Sequence, residues 1–221
     1  MTTHLPENEE QRIEALRRYN ILDTPADGSF DRITQLASTI FRVPIAIISL
    51  VDTDRIWFKS HYGLSINQIG RDPGLCASAI LSSDSYVVEN AMSDPRTLAN
   101  PLVAGEFGLR FYAAAPLRTE ENYNLGTLCI IDQQPRGFTE EEKDILTQLA
   151  AVVMDEMETR LALRGAVEKI KKISSDLGVH LLNTIRNVKA SPAGNADSSL
   201  TSYLEASGLY LKNVEHQLSA I

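Results

Sequence analysis

The segment Pro44–Val51 (PIAIISLV) constrains this chain more than any other. It is short, β-rich and apolar on both faces, as expected of a central strand. Asp52-Thr53-Asp54-Arg55 then supplies turn chemistry, and Ile56–Ser60 (IWFKS) is expected to return as the second strand of a hairpin. Residues 61–85 are mixed and Gly-bearing, with a short helix expected over Cys76–Leu81. A brief strand follows at Tyr86–Glu89, and two more are expected at Leu109–Leu117 and Leu125–Ile131. An acidic turn, Thr119–Asn124, separates the last two, while DPR, NPL and Gly105 break regularity over residues 93–108.

Two amphipathic helices precede these strands. Residues 8–20 place Ile13, Leu16 and Tyr19 at helical spacing, and Phe30–Phe41 repeats Phe30, Ile33, Leu36, Ala37, Ile40 and Phe41 at threes and fours. Strands meander without a strict β-α-β alternation, so the expected class is α+β, with a central antiparallel sheet flanked by helices. From Thr139 the pattern becomes purely helical. Thr139 as N-cap and Glu142 three residues on form a capping box, and helical spacing continues to about Lys189, weakened only at Gly165. Ile170, Ile173, Leu177, Leu181, Thr184 and Val188 make one stripe of its second half.

Small and polar residues at 191–199 mark a turn or link. Leu200, Leu204, Ser207, Leu211, Val214, Leu218 and Ile221 then step by fours and threes in a heptad pattern. The chain is therefore divided into a sheet domain, 1–160, and a helical region, 161–221, formed by the long helix and an antiparallel helical hairpin. A hairpin has a bare apolar side. Two copies pairing into a four-helix bundle would bury Ile173, Leu177, Leu181, Leu204, Leu211, Val214 and Leu218, so these are the dimer-interface candidates. The alternative is a hairpin folded back on its own domain.

Net charge is −8 and the pI is near 5.0, a balance unsuited to nucleic acid or an anionic membrane surface. The longest apolar run, Val43–Val51, falls far short of the roughly 20 residues needed to span a bilayer. The first residues, MTTHLPENEEQ, lack an apolar leader core, so a cytoplasmic protein is expected. The two cysteines, Cys76 and Cys129, lie 53 positions apart, which is neither a disulfide framework nor a metal spacing. No metal and no cofactor are expected.

PIAIISLVDTDRIWFKSHYGL (44–64), VVENAMSDPRTLANPLV (87–103), LRFYAAAPL (109–117) and LGTLCIIDQQPRGFTEEEKDILTQLA (125–150) resemble, in order and spacing, the GAF domains fused to bacterial sensor kinases and cyclases. The resemblance covers about 140 residues. It implies a sheet of five or six strands with helices behind and a ligand pocket under long loops in front. It also implies signalling, with a small-molecule ligand, a kinase or a response regulator as partner. The tail resembles a degenerate histidine-kinase dimerisation hairpin. His180 occupies the place of a phospho-acceptor, but Leu181, Leu182 and Asn183 follow it instead of an activating acid. No ATP-binding motif is present, so a self-sufficient kinase is not expected.

Within that frame the ligand-binding candidates are Trp57, Phe58, Arg71, Cys76, Asp94, Arg110 and Tyr112. Trp57 and Phe58 point to opposite faces of one strand. Arg110 and Tyr112 share a face, suited either to an anionic ligand or to anchoring the NPLV loop, with the anchor favoured. Asp52 and Asp132 end apolar strands and read as caps of turn amides. Cys76 is followed by Ala77, not by the histidine of bilin-carrying relatives, and no NKFDE-type cyclic-nucleotide pattern occurs. Free methionine-R-sulfoxide reductases are catalytic relatives that use several cysteines, whereas here Cys129 lies mid-strand with no evident resolving partner. The expectation is a non-catalytic, homodimeric sensor or adaptor. Alternatives are a ligandless interaction scaffold and a thiol enzyme using Cys76.

Overall fold

The computed structural model describes residues 5–190 and 198–219. His4, most of the 191–199 link and Ile221 lie outside the described residues, as does the side chain of Leu218. Two compact units divide the chain, Met1–Thr159 and Arg160–Ile221.

The first unit is built on six strands: β1 (Ile45–Val51), β2 (Arg55–Tyr62), β3 (Gln68–Gly70), β4 (Tyr86–Val88), β5 (Phe111–Arg118) and β6 (Asn124–Asp132). They pair in the order β3-β2-β1-β6-β5-β4, every pair antiparallel. The apolar-rich strand β1 is indeed central. All seven β1 residues are buried, because β2 and β6 flank the strand while helices and loops cover its two faces. A bulge in the β1–β2 ladder falls between Ile48 and Ser49.

Behind the sheet lie α1 (Glu9–Arg18), α2 (Gly28–Phe41) and the start of α5 (Glu140–Ala190). Helix α2 begins two residues before the expected Phe30, because the Asp27 carboxylate accepts from the Ser29 amide and caps it. The capping box at α5 is formed in both directions: Thr139 N donates to Glu142 Oε2 at 2.9 Å, and Glu142 N to Thr139 Oγ1 at 3.1 Å. Phe138 packs 5.6 Å from Phe41 and 5.5 Å from Phe111, joining loop, helix and sheet in one core. Front-side cover comes from α3 (Leu75–Ala79), α4 (Pro101–Ala104) and the loops around them.

The second unit holds the remainder of α5, which runs through Gly165 without a break, and α6 (Ser198–Ser219). Along α5 the covered positions Val167, Lys171, Ser174, Gly178 and Leu181 step by fours and threes. On α6 they are Leu204, Ser207, Gly208, Leu211 and Val214. The expected α5 stripe therefore splits: Leu181 lies on the covered side, while Ile170, Ile173 and Leu177 stay exposed. The reason is that small Ser174 and Gly178, which carry little apolar signal, form the covered line instead. Among the described residues, no helix is long and apolar enough to cross a membrane.

Candidate functional site

Strand alternation sends Ser49 of β1, Tyr112 of β5, and Thr127 and Cys129 of β6 to the front of the sheet. Helix α3 lowers Cys76 onto them. The cysteine sulfurs stand 4.0 Å apart, and the Tyr112 hydroxyl donates to Cys76 Sγ at 3.3 Å. Ser49 Oγ and Thr127 Oγ1 are 2.9 Å apart, and Ser49 Oγ also donates to the Thr127 carbonyl. Phe58, Leu75, Ile80, Val88, Val103 and Leu109 wall this polar island with apolar side chains.

Both thiols are buried, and they are driven apart in acidity. Hydrogen bonding from Cys129 draws the Cys76 thiol below its ordinary range against the effect of burial, with Ser49 and Tyr112 assisting. Donating to Cys76, and buried itself, Cys129 is pushed up, and burial likewise pushes up the Tyr112 phenol. Of the two thiols, Cys76 is therefore the more acidic. Sequence separation concealed this pair. The only available signal was that both residues fell on elements facing the same pocket.

The other expected site residues are dispersed. Phe58 joins the front cluster, but Trp57 faces the back, where Lys59 Nζ lies 6.0 Å from its ring. Trp57 instead lines a cleft of about 500 Å³ at the β2 edge, together with Asp31, Lys59, His61 and the loop at 23–26. Arg71 is buried; its Nη1 donates to Glu9 Oε1 at 2.5 Å and to the Asp52 carbonyl at 3.0 Å, while Nε and Nη2 have no partner in the structure. Asp94 pairs with Arg96, whose guanidinium also donates to the Val87 carbonyl and sits 4.6 Å from the Tyr86 ring centroid. Arg110 donates to the carbonyls of Val103 and Leu109, both at 2.9 Å, so its guanidinium ties down the loop beside α4. Asp52 and Asp132 accept from turn amides at Thr53 and Gln134. His180 is exposed on α5. Among the described residues no group of three His, Cys, Asp or Glu side chains converges to hold a metal.

A six-stranded antiparallel sheet with helices behind and short helices and loops in front defines a small sensory domain. The GAF domain family model matches residues 25–157, and the chain belongs to the GAF family. It is a signalling module of that family. Over 159 residues it is 42% identical to a protein of Pseudomonas aeruginosa named a cyclic di-GMP phosphodiesterase, covering 72% of this chain but only 27% of that protein. The chain thus spans about a quarter of that relative's length. Among solved structures, the blue-light-absorbing form of the PixJ GAF domain from Thermosynechococcus elongatus superposes with a TM-score of 0.53 at 15% identity, covering 71% of this chain and 94% of that one. The free methionine-R-sulfoxide reductase of Neisseria meningitidis, solved with its substrate, gives 0.51 at 18% identity, covering 71% and 95%. These two share the fold.

One expectation is corrected by these comparisons. The chain was read as non-catalytic because no known catalytic motif appears in it. A relative at 42% identity over the GAF region carries the name of an enzyme. The inference failed because it rested on the absence of a motif within this chain, which spans only 27% of the relative's length.

Proposed function

We propose that this chain is the sensory part of a dimeric signalling protein, in which events in the GAF unit are relayed along α5. The observation that carries this reading is an exposed apolar stripe. Leu163, Ala166, Ile170, Ile173 and Leu177 follow one another by threes and fours, and the four large side chains are between 47% and 66% exposed. In the first unit, Val152 and Thr159 of the same helix stand exposed at the preceding heptad positions. Such a repeat supports a left-handed coiled coil with a second helix. Burial of the exposed part of each large side chain contributes on the order of 1 kcal/mol toward association.

The second unit supports the same partner. If α5 and α6 pack antiparallel along their covered lines, helix geometry puts Ile170, Ile173 and Leu177 on the same side as Tyr203 and Tyr210. Both tyrosines are at least 70% exposed. Two hairpins meeting on that side form a four-helix bundle. Light scattering of the purified protein is expected to give about 49 kDa, twice the 24.4 kDa chain mass. A mass of 24.4 kDa at high concentration overturns the reading.

The 42%-identical relative favours a second reading, in which the signal concerns cyclic di-GMP hydrolysis. Incubation of the purified protein with cyclic di-GMP, followed by chromatography for the linear dinucleotide, tests it. Turnover or tight binding supports a role at the substrate itself, and neither removes that role.

A further inference from the structure

We propose that Cys76 and Cys129 are a buried dithiol that small hydroperoxides convert to a disulfide, making the front of the GAF unit a redox-sensitive site. The sulfurs are 4.0 Å apart, and a disulfide bond is about 2.05 Å long, so closure requires about 2 Å of approach. The two partners differ in their freedom to make that approach. Cys129 sits in β6, which is paired with β1 on one side and β5 on the other. Cys76 sits in a five-residue helix whose N-cap, Gly74, supplies no side-chain hydrogen bond. The approach is therefore assigned to α3, a five-residue helix held at its ends by Asn100 and Asn124, rather than to a strand paired on both sides.

Two further observations support the pair. Tyr112 aims its hydroxyl at Cys76 Sγ, where it stabilises a thiolate, and its own ring is held edge-on by Tyr86 at 6.0 Å. The apolar wall around the thiols admits a neutral molecule of peroxide size more readily than a charged oxidant or a bulky thiol. The acidity gap between the cysteines assigns their roles, with Cys76 as nucleophile and Cys129 as resolving thiol.

The chemistry balances with hydrogen peroxide as oxidant. Cys76 sulfur attacks one peroxide oxygen, the O–O bond breaks, and the departing hydroxide takes up the thiol proton to leave as water. Cys76 is then a sulfenic acid. Cys129 sulfur attacks Cys76 sulfur, the S–O bond breaks, and the Cys129 proton leaves with that oxygen as a second water. Two thiols lose two electrons, and one peroxide is reduced to two waters. The new bond draws α3 toward the sheet and removes the sulfur that accepts from Tyr112. Asn100, which donates to the Pro73 carbonyl just before α3, carries that displacement to α4.

The test is titration of the whole wild-type protein with hydrogen peroxide, followed by denaturation, alkylation and intact-mass analysis. The expected result is loss of both alkylatable thiols with a mass decrease of about 2 Da and no change in chain number, reversed by dithiothreitol. Cys129→Ser is expected to stop at a sulfenic acid trappable by dimedone on Cys76. Tyr112→Phe is expected to slow oxidation roughly fivefold without changing the product. Two thiols surviving peroxide, over-oxidation of Cys76 in the wild type without a disulfide, or disulfides only between chains would each overturn the proposal. The wild-type measurement stands even if a variant fails to fold.

Discussion

Arg12 Nη1 donates a 2.7 Å hydrogen bond to the carbonyl of Val51, joining the first helix to the end of the central strand. The side chain is 1% exposed and also reaches the Leu125 carbonyl, while Nε and Nη2 hold Glu9. Arg12→Met would leave these carbonyls and part of the Glu9 carboxylate without donors. A loss of about 3 kcal/mol is expected in urea unfolding of the first unit. A loss under about 1 kcal/mol would show that the clasp is dispensable.

Glu9 makes that clasp pH-dependent. Burial raises its pKa, but hydrogen bonds from Arg12 and Arg71 outweigh burial and hold it below the ordinary 4.5. A depressed carboxylate contributes stability that is complete above its unfolded pKa and is lost as pH falls through the folded value. Asp23 and Asp94 are depressed in the same way by Arg55 and Arg96, so the wild-type curve alone does not isolate Glu9. The stability difference between wild type and Glu9→Gln is expected to shrink steadily as pH is lowered from about 6 to about 3. A difference that stays constant would assign the effect to packing.

Asn100 performs two tasks that substitution can separate. Its Oδ1 accepts from Leu102 N at 2.8 Å, capping α4, and its Nδ2 donates to the Pro73 carbonyl at 2.8 Å. Asn100→Ala is expected to cost about 2 kcal/mol, and Asn100→Ser, which keeps a capping oxygen, about half as much. Equal losses would mean that only the Pro73 contact matters.

The α5 stripe makes a positional prediction. Leu163 and Leu182 are similarly exposed, at 60% and 57%, yet Leu182 lies on a different side of the helix. Leu163→Glu is expected to reduce the light-scattering mass to 24.4 kDa, while Leu182→Glu leaves it near 49 kDa. The opposite outcome would move the interface to another face.

Much of the sheet domain was legible because burial writes itself into residue type. Ile45–Val51 is apolar but for Ser49 and lies at the sheet centre, and Trp57 and Phe58 do face opposite sides. What was hidden depends on register. Nothing near Cys129 announces Cys76, because only the antiparallel ladders and the descent of α3 bring them together. Arg12 was equally obscure, since an arginine on an amphipathic helix looks like surface until its fork meets two strand carbonyls. On α5 the covered line of Ser174 and Gly178 was not legible, because small residues permit close approach without hydrophobic periodicity.

The strand order carries a consequence for how copies of this domain can meet. Both outermost strands, β3 and β4, are only three residues long, whereas the inner four run from seven to nine. A neighbour aligning against β3 or β4 would find only a three-residue ladder to extend. Growth by strand addition, the route to fibrous aggregates, is therefore disfavoured at β3 and β4 themselves, and the longer margins it could use are those of β2 past Trp57 and β5 past Ala114.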